Sequence, residues 1–296
     1  MPQNKGQQLQ DTMTDWYTLK LSDKMFSRFS SFIYKNLGIH LPREKKIMLQ
    51  YRLVKRLKKL KMERFEDYFS YLTSVDGLKN ELPLMINVVT TNKTDFFREP
   101  YHFQYLSENV LPKFCKNSNT RPFKIWSSAC STGAEPYTMA MILQEFAEKN
   151  RRFRYSILST DISSKALKTA INAIYDHEMA ESIPINLRKK YLLKKRNNKQ
   201  TVLVRIVPEL RQNVKFKQMN LMLSKYPVDS MMDVIFCRNV IIYFDRKTQD
   251  RVIKKLSCCL NPGGYLFMGH SESIKLDELP FERVQSTIYR KKNDHT

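Results

Sequence analysis

Apolar residues recur at helical spacing through the first third of the chain. Met25, Phe26, Phe29, Phe32 and Ile33 line one face of a predicted helix that Ser22 or Asp23 can cap and Gly38 can stop. A second predicted helix follows Pro42. Its apolar stripe is Ile47, Tyr51, Val54 and Leu57, expected to pack against neighbouring helices. A basic stripe of Arg52, Lys55, Arg56 and Lys59 (i, i+3, i+4, i+7) is expected to lie in water on another face. Phe65–Leu72 and Leu82–Val89 continue the helical period, so 21–89 reads as an all-helical domain. The first twenty residues are polar and aperiodic, and 1–20 reads as a mobile tail.

After a linker helix region at 90–120 the period shortens. Phe123–Ser127, Tyr155–Thr160, Met232–Phe236 and Tyr265–Met268 are short apolar runs with the look of buried strands. Helices are predicted between them at Pro136–Glu148, at Lys165–Ile174 with Ser163 or Ser164 as cap, and after Asp245 to about Asn261. Phe281–Arg290 reads as a terminal hairpin arm. Strands alternating with helices imply parallel βαβ units, hence an α/β fold with a doubly wound sheet over 121–296. Tyr191–Phe216 breaks the alternation. Its β-branched run Thr201–Val207 and the turn Arg196-Asn197-Asn198 predict an antiparallel β subdomain at about 186–217.

Composition narrows the class. The chain has 296 residues, 42% hydrophobic and 11% aromatic, enough for a packed core. No apolar run reaches the ~18 residues of a membrane span, and MPQNKGQQLQ is no signal peptide. Five cysteines without a C-x-x-C pair exclude a disulfide scaffold and a zinc ribbon, and fit a reducing cytosol. His40, His102, His177 and His295 have no ligand spacing, so no metal is expected. The net charge of +22 calls for an anionic partner. Arg43–Lys61 contributes a net +8 and Asn186–Lys217 a net +10, so two patches carry most of it. Such patches suit docking surfaces.

In an open α/β sheet ligands bind beyond the carboxyl ends of the strands. Those positions here are Ser127–Pro136 after the first strand, Asp161 after the second, and Cys237-Arg238-Asn239 after the third. A carboxylate such as Asp161 can accept both ribose hydroxyls of a nucleoside cofactor, which suits NAD or S-adenosylmethionine equally. The first loop has only Gly133 and lacks G-x-G-x-x-G, so it offers no pyrophosphate cradle. Glu135 would repel a phosphate and favour a ligand with an ammonium and a sulfonium.

Five segments then bring in a family. Thr91-Asn92-Lys93-Thr94-Asp95-Phe96-Phe97-Arg98 resembles the T-N-x-T-x-F-F-R signature of the chemotaxis receptor methyltransferases, the CheR family. Ala129–Tyr137 is similar to its A-C-S-x-G-x-E-P-Y loop, and Asp161-Ile162 to its T-D-I segment. Phe236–Phe244 is similar to F-C-R-N-V-x-I-Y-F, and Gly269-His270-Ser271-Glu272 to G-H-S-E. The five occur in order across nearly the whole chain.

The resemblance implies a Rossmann-like S-adenosylmethionine-dependent methyltransferase sheet with an N-terminal all-helical domain and a small antiparallel insertion. Carried onto the matching positions, it implies S-adenosylmethionine contacts from Asn92, Thr94, Arg98, Glu135, Asp161, Asn220, Leu221, Arg238 and Asn239, with S-adenosylhomocysteine as product. Asn220 would reach the adenine edge. Arg98 and Tyr243 are the expected catalytic residues, and Arg52, Lys55, Arg56 and Lys59 the expected docking stripe for the substrate. The implied activity is a protein-glutamate O-methyltransferase acting on methyl-accepting chemoreceptors in adaptation. The implied partner is the receptors' cytoplasmic helical domain. In some members of the family the β subdomain also takes up a receptor's C-terminal tail peptide as an added strand. The expected setting is cytoplasmic, at membrane chemoreceptor arrays, as a monomer.

Two other classes compete. An RNA methyltransferase would explain +22, but the third strand ends in Cys-Arg-Asn-Val rather than an N/D-P-P-Y-type loop, and no aromatic-basic RNA module is visible, so no nucleic acid is expected. A non-catalytic S-adenosylmethionine-binding regulator would keep the fold without turnover; the intact Asn92, Arg98 and Tyr243 argue against it.

Overall fold

The computed structural model describes residues 19–116, 121–196, 202–276 and 279–293, and the sequence-predicted tail lies almost wholly outside them. The chain divides into two compact units. One ends at Ser31 and resumes over Leu41–Val89; the other takes Phe32–His40 and the described residues from Thr90 onward.

The first unit is helical. Its elements are α1 (Asp23–Leu37, whose last turns belong to the second unit), α2 (Lys46–Leu60), α3 (Phe65–Leu72), α4 (Val75–Asn80) and α5 (Leu82–Val89). Met25, Phe26, Phe29, Leu49, Leu53, Leu57, Phe65, Tyr68 and Met85 are buried in this unit. Phe29 sits 4.9 Å from Phe69, edge to face, and stacks on Tyr68 at 6.0 Å.

This packing corrects the expected register of α2. Ile47 and Tyr51, expected in the core, are 65% and 53% exposed, while Leu49, Leu53, Val54 and Leu57 are buried. The rotation exchanges Ile47 and Tyr51 for Leu49 and Leu53, which buries two wholly apolar side chains and leaves the Tyr51 hydroxyl to water. The basic stripe divides accordingly. Lys55 and Lys59 are exposed, but Arg56 turns inward onto Glu81 and Tyr68, and Arg52 donates to the Val89 carbonyl. Only half of that stripe lies in water.

The second unit is an α/β sandwich. Its strands are β1 (Phe123–Ser127), β2 (Tyr155–Asp161), β3 (Ile174–Asp176), β4 (Leu192–Arg196), β5 (Val202–Ile206), β6 (Val214–Gln218), β7 (Met232–Cys237), β8 (Leu260–Met268), β9 (Phe281–Gln285) and β10 (Ile288–Lys291). Its helices are α6 (Pro100–Tyr105), α7 (Leu111–Lys116), α8 (Ala134–Lys149), α9 (Ser164–Asn172), α10 (Ile185–Tyr191), α11 (Pro208–Arg211) and α12 (Arg246–Ser257). Among the described residues the main sheet has seven strands in the order β6-β2-β1-β7-β8-β10-β9, parallel from β6 to β8 and closed by the antiparallel β10-β9 arm.

The central strands β1 and β7 are mostly apolar because both faces are covered, whereas the outer strands β6 and β9 carry charged, exposed positions. Ile125, Val234, Phe236 and Phe267 pack on the α8 side, and Trp126, Ile235, Cys237 and Leu266 on the α12 side. Ser163 and Asp245 cap α9 and α12 by accepting from Ala166 N and Thr248 N.

A separate antiparallel sheet, β3-β5-β4, forms the insertion. Its limits differ from those expected. Val214–Gln218 leaves it and extends the main sheet as β6, parallel to β2, while Ile174, expected as the last residue of a helix, joins it with Tyr175 and Asp176 as β3. Local β-propensity cannot distinguish the two sheets; backbone pairing decides. Asn197, Asn198 and Thr201 of the expected hairpin lie outside the described residues.

Candidate functional site

From β1 the chain winds outward to β2 and β6; later it returns to pair β7 on the other side of β1. The strand order therefore reverses between β1 and β7, and their carboxyl ends open a crevice there. Three segments supply its walls: the β1–α8 loop, the end of β2, and the turn after β7. A fourth, the 91–99 segment, packs against them through Ser131 Oγ, which donates to the Asn92 carbonyl at 2.9 Å.

Arg238 is the centre of the site. Its side chain is 2% exposed and divides between two carboxylates, with Nη1 3.0 Å from Glu135 Oε2 and Nη2 3.2 Å from Glu99 Oε2. Nη2 also donates to the Arg98 carbonyl. Phe103 and Phe236 flank the guanidinium. Glu135 is the acidic residue of the first turn of α8, and its other oxygen accepts from Ser127 Oγ at 2.7 Å. Burial pushes the Glu135 carboxyl up, against Arg238 and Ser127, which pull it down. Two carboxylates against one guanidinium leave the cluster short of positive charge. Arg238 Nε is buried and makes no hydrogen bond among the described residues.

Asp161 ends β2. Its Oδ2 accepts from Ser131 N and its Oδ1 from Ser163 N, both at 2.8 Å. Each oxygen keeps a second lone pair for a hydroxyl. Burial raises this carboxyl, while the amides oppose the shift. Gly133 closes the β1–α8 loop at φ +95°, and a Cβ there would lie 2.9 Å from both Ala170 Cβ and Tyr175 Oη. The loop can approach this closely only as glycine.

The turn after β7 hangs on a residue to which the sequence assigned no role. Glu272, 3% exposed, accepts from Asn239 N (2.8 Å) and Gly269 N (2.7 Å) on one oxygen, and from Val240 N, Ile241 N and Ile242 N (2.9, 3.0 and 3.3 Å) on the other. This carboxylate holds the backbone that presents Arg238, Asn239 (φ +55°) and the 3₁₀ turn Ile241–Tyr243. Glu99 is the other omission. The sequence assigns it no role, whereas it pairs with Arg238 and accepts from His270 N at 3.2 Å. The signals available were an acid directly before the helix-opening Pro100 and the Glu of the G-H-S-E stretch. Neither reveals burial.

The remaining candidates fall around this centre. Asn92 Nδ2 points to Ser163 Oγ at 3.5 Å, and Thr94 is half-buried on the same segment. Arg98 turns its Nη1 toward the Lys93 carbonyl at 3.3 Å. Tyr243 is half-buried, and among the described residues its hydroxyl makes no hydrogen bond. Asn220 and Leu221 follow β6, whose Gln218 is in register with Asp161, so they share the carboxyl edge. The Asn220 carboxamide is spent within the chain, donating to the Asn36 carbonyl (2.8 Å) and accepting from Met222 N (2.9 Å). Arg52, Lys55, Arg56 and Lys59 belong to the helical unit.

A buried cluster lacking a cation, a carboxylate with free lone pairs at the neighbouring strand end, and a glycine-tight loop together fit S-adenosylmethionine, which carries a sulfonium, an ammonium and a ribose. Comparison with known proteins agrees. Residues 92–290 match the family model described as CheR methyltransferase, SAM binding domain, and residues 24–90 match CheR methyltransferase, all-alpha domain. A chemotaxis protein methyltransferase of Borreliella burgdorferi is 37% identical over 277 residues, covering 92% of this chain and 96% of that protein. The Escherichia coli (strain K12) protein of the same description is 36% identical, covering 93% of each chain. Chemotaxis protein methyltransferase 2 of Pseudomonas aeruginosa is 36% identical, covering 89% of this chain and 91% of that protein.

Proposed function

The chain belongs to the CheR family of chemotaxis protein methyltransferases, and we propose that it methylates the γ-carboxylate of specific glutamates on the cytoplasmic helices of chemoreceptors. S-adenosylmethionine, when bound, supplies a methyl group that an acceptor oxygen takes as the S–CH₃ bond breaks and its electron pair returns to sulfur. The single observation that carries the reading is Arg238 shared between Glu99 and Glu135 at the crevice where the strand order reverses.

The acceptor carboxylate, with a pKa of ~4.3, is already ionised at neutral pH, so no general base is required. The chain's own task reduces to orientation and exclusion of water. Asp161 accepts hydroxyls of the ribose, and Glu135 faces the cationic end of the ligand. Asn92, Thr94, Leu221 and Asn239 line the remaining edge. Asn220 contributes only if its carboxamide leaves Asn36. Arg98 can swing from the Lys93 carbonyl to clamp the acceptor carboxylate, and the unengaged Tyr243 hydroxyl can orient the acceptor oxygen.

Docking falls to the exposed face of α2. Ile47, Tyr51, Lys55, Lys58 and Lys59 share that face, an apolar and basic surface suited to an acidic amphipathic receptor helix. Arg52 and Arg56, committed inward, drop out of it. In the insertion β4 is an edge strand, which suits the addition of a receptor tail peptide. No described helix is long and apolar enough to cross a membrane. Our reading is of a cytoplasmic monomer recruited to receptor arrays.

Incubation with methyl-labelled S-adenosylmethionine and receptor-rich membranes, followed by base, tests the reaction. Carboxyl esters release volatile methanol; label that stays fixed in RNA, or no transfer at all, overturns the proposal.

A further inference from the structure

Arg98 sits between two residues in the left-handed backbone region, Phe97 at φ +54° and Glu99 at φ +56°. Neither is a glycine, and a side chain as bulky as that of phenylalanine rarely adopts this conformation. Strain of this kind persists only where the surroundings over-determine the backbone, and it gathers at functional sites.

The surroundings here are the β1–α8 loop and the first turns of α8, which hold the segment at three points. At its start Ser131 Oγ donates to the Asn92 carbonyl at 2.9 Å. Phe96, 1% exposed, packs edge to face on Tyr175 at 5.0 Å, and the Tyr175 hydroxyl donates to the Thr132 carbonyl at 2.8 Å. Thr138, fully buried on α8, holds the end next to Arg98, its Oγ1 accepting from Phe97 N at 3.1 Å. The one hydrogen of that hydroxyl is committed to the Ala134 carbonyl, 2.8 Å away and one helical turn back. The oxygen therefore meets the Phe97 amide as an acceptor.

Beyond Arg98 the main chain is held as well. The Arg98 carbonyl accepts from Arg238 Nη2, and the Glu99 carbonyl accepts from His102 N at 3.1 Å. The Arg98 guanidinium, by contrast, reaches the Lys93 carbonyl at 3.3 Å, at the edge of hydrogen-bonding distance. A fixed main chain under a loosely held guanidinium suits a side chain that moves onto an acceptor.

We propose that Thr138 is a positioning residue for Arg98, its hydroxyl keeping Phe97 in the strained conformation that aims Arg98 at the acceptor carboxylate. This rests on the reading of Arg98 as the clamp on that carboxylate, and the test separates the two. Methylation of receptor glutamates is followed at saturating S-adenosylmethionine with the full chain, for T138V, T138S, T138A, R98K and T138V/R98K. Affinity for S-adenosylhomocysteine and thermal unfolding are measured beside it.

T138V keeps the shape of the side chain and removes the acceptor. Its kcat should fall by roughly 10-fold, the order expected when a reacting group is misplaced by a fraction of an ångström. Its affinity for S-adenosylhomocysteine should stay within about 2-fold of wild type, because Ser131 still holds Asn92. T138S keeps the oxygen and should turn over within about 2-fold of wild type. In the R98K background T138V should add less than about 2-fold, because its effect runs through that guanidinium. Turnover by T138V at the wild-type level, turnover by T138S as low as that of T138V, or T138V and R98K effects that multiply overturns the proposal. So does a loss of S-adenosylhomocysteine affinity equal to the loss of kcat in T138V. Wild-type kcat in R98K instead overturns the reading of Arg98 itself. Should T138V fail to fold, T138A removes the same acceptor with a better helix former, and the same outcomes decide.

Discussion

The Arg56 guanidinium meets the Glu81 carboxylate side-on, Nε to Oε1 and Nη2 to Oε2, both at 2.8 Å. Glu81 is 2% exposed, and the Tyr68 hydroxyl donates to the same Oε1 at 2.8 Å. A basic residue on a helix face charged enough to read as a docking stripe is thus an internal tie of the helical unit.

Removing one partner strands the other without water. Glu81→Ala should destabilise the protein by about 3–5 kcal/mol, read from chemical denaturation. Glu81→Gln should cost less, since it keeps one acceptor for Arg56 and Tyr68. A loss under about 1 kcal/mol in Glu81→Ala would place the pair among surface ion pairs.

Charge reversal on the exposed lysines should act on substrate alone. The triple variant Lys55→Glu, Lys58→Glu, Lys59→Glu should raise KM for receptor several-fold at low salt. The effect should shrink as ionic strength rises, because exposed charges are screened over ~10 Å at 0.1 M. Affinity for S-adenosylhomocysteine, measured separately, should stay within about 2-fold of wild type. Unchanged receptor kinetics at low salt would remove α2 from docking.

Glu272→Gln replaces acceptors by a donor-bearing amide in front of five backbone N–H groups. At least two of them lose their partner, at about 1–3 kcal/mol each. Stability and S-adenosylhomocysteine affinity should fall together, since the same turn carries Arg238 and Asn239. Loss of stability with intact affinity would separate the turn from the site.

His102 gives a pH signature with a definite sign. Its imidazole falls from the ordinary 6.5 to about 3 in the fold, through burial first and the Arg238 charge second. Between those values the unfolded chain takes up a proton that the folded chain refuses. Stability from this group is therefore fully present above about 6.5 and is lost as pH falls, by at most about 1.4 kcal/mol per pH unit. His102→Asn has no such proton to take up. Equilibrium unfolding from pH 7 to pH 4 should show a shallower acid limb for the variant than for wild type; parallel limbs would mean that His102 titrates normally in the fold.

The amino-acid sequence by itself determined the alternation of period-3.6 and apolar strand segments, the cap at Asp245, a serine cap at Ser163 or Ser164, and the strand-end positions of Glu135, Asp161 and Arg238. These are local properties: side-chain period, capping chemistry and the place of a residue relative to its own strand. Tertiary structure alone decided the rest. It chose which face of α2 is buried, sending Arg56 to Glu81 and leaving Tyr51 outside. It assigned Val214–Gln218 to the main sheet and Ile174–Asp176 to the insertion. It also brought Glu99, Thr138 and Glu272 to the site from positions up to 173 residues apart. A buried carboxylate and a solvated one are the same letter, and what separates them is the set of N–H groups and cations that distant segments supply once the chain is packed.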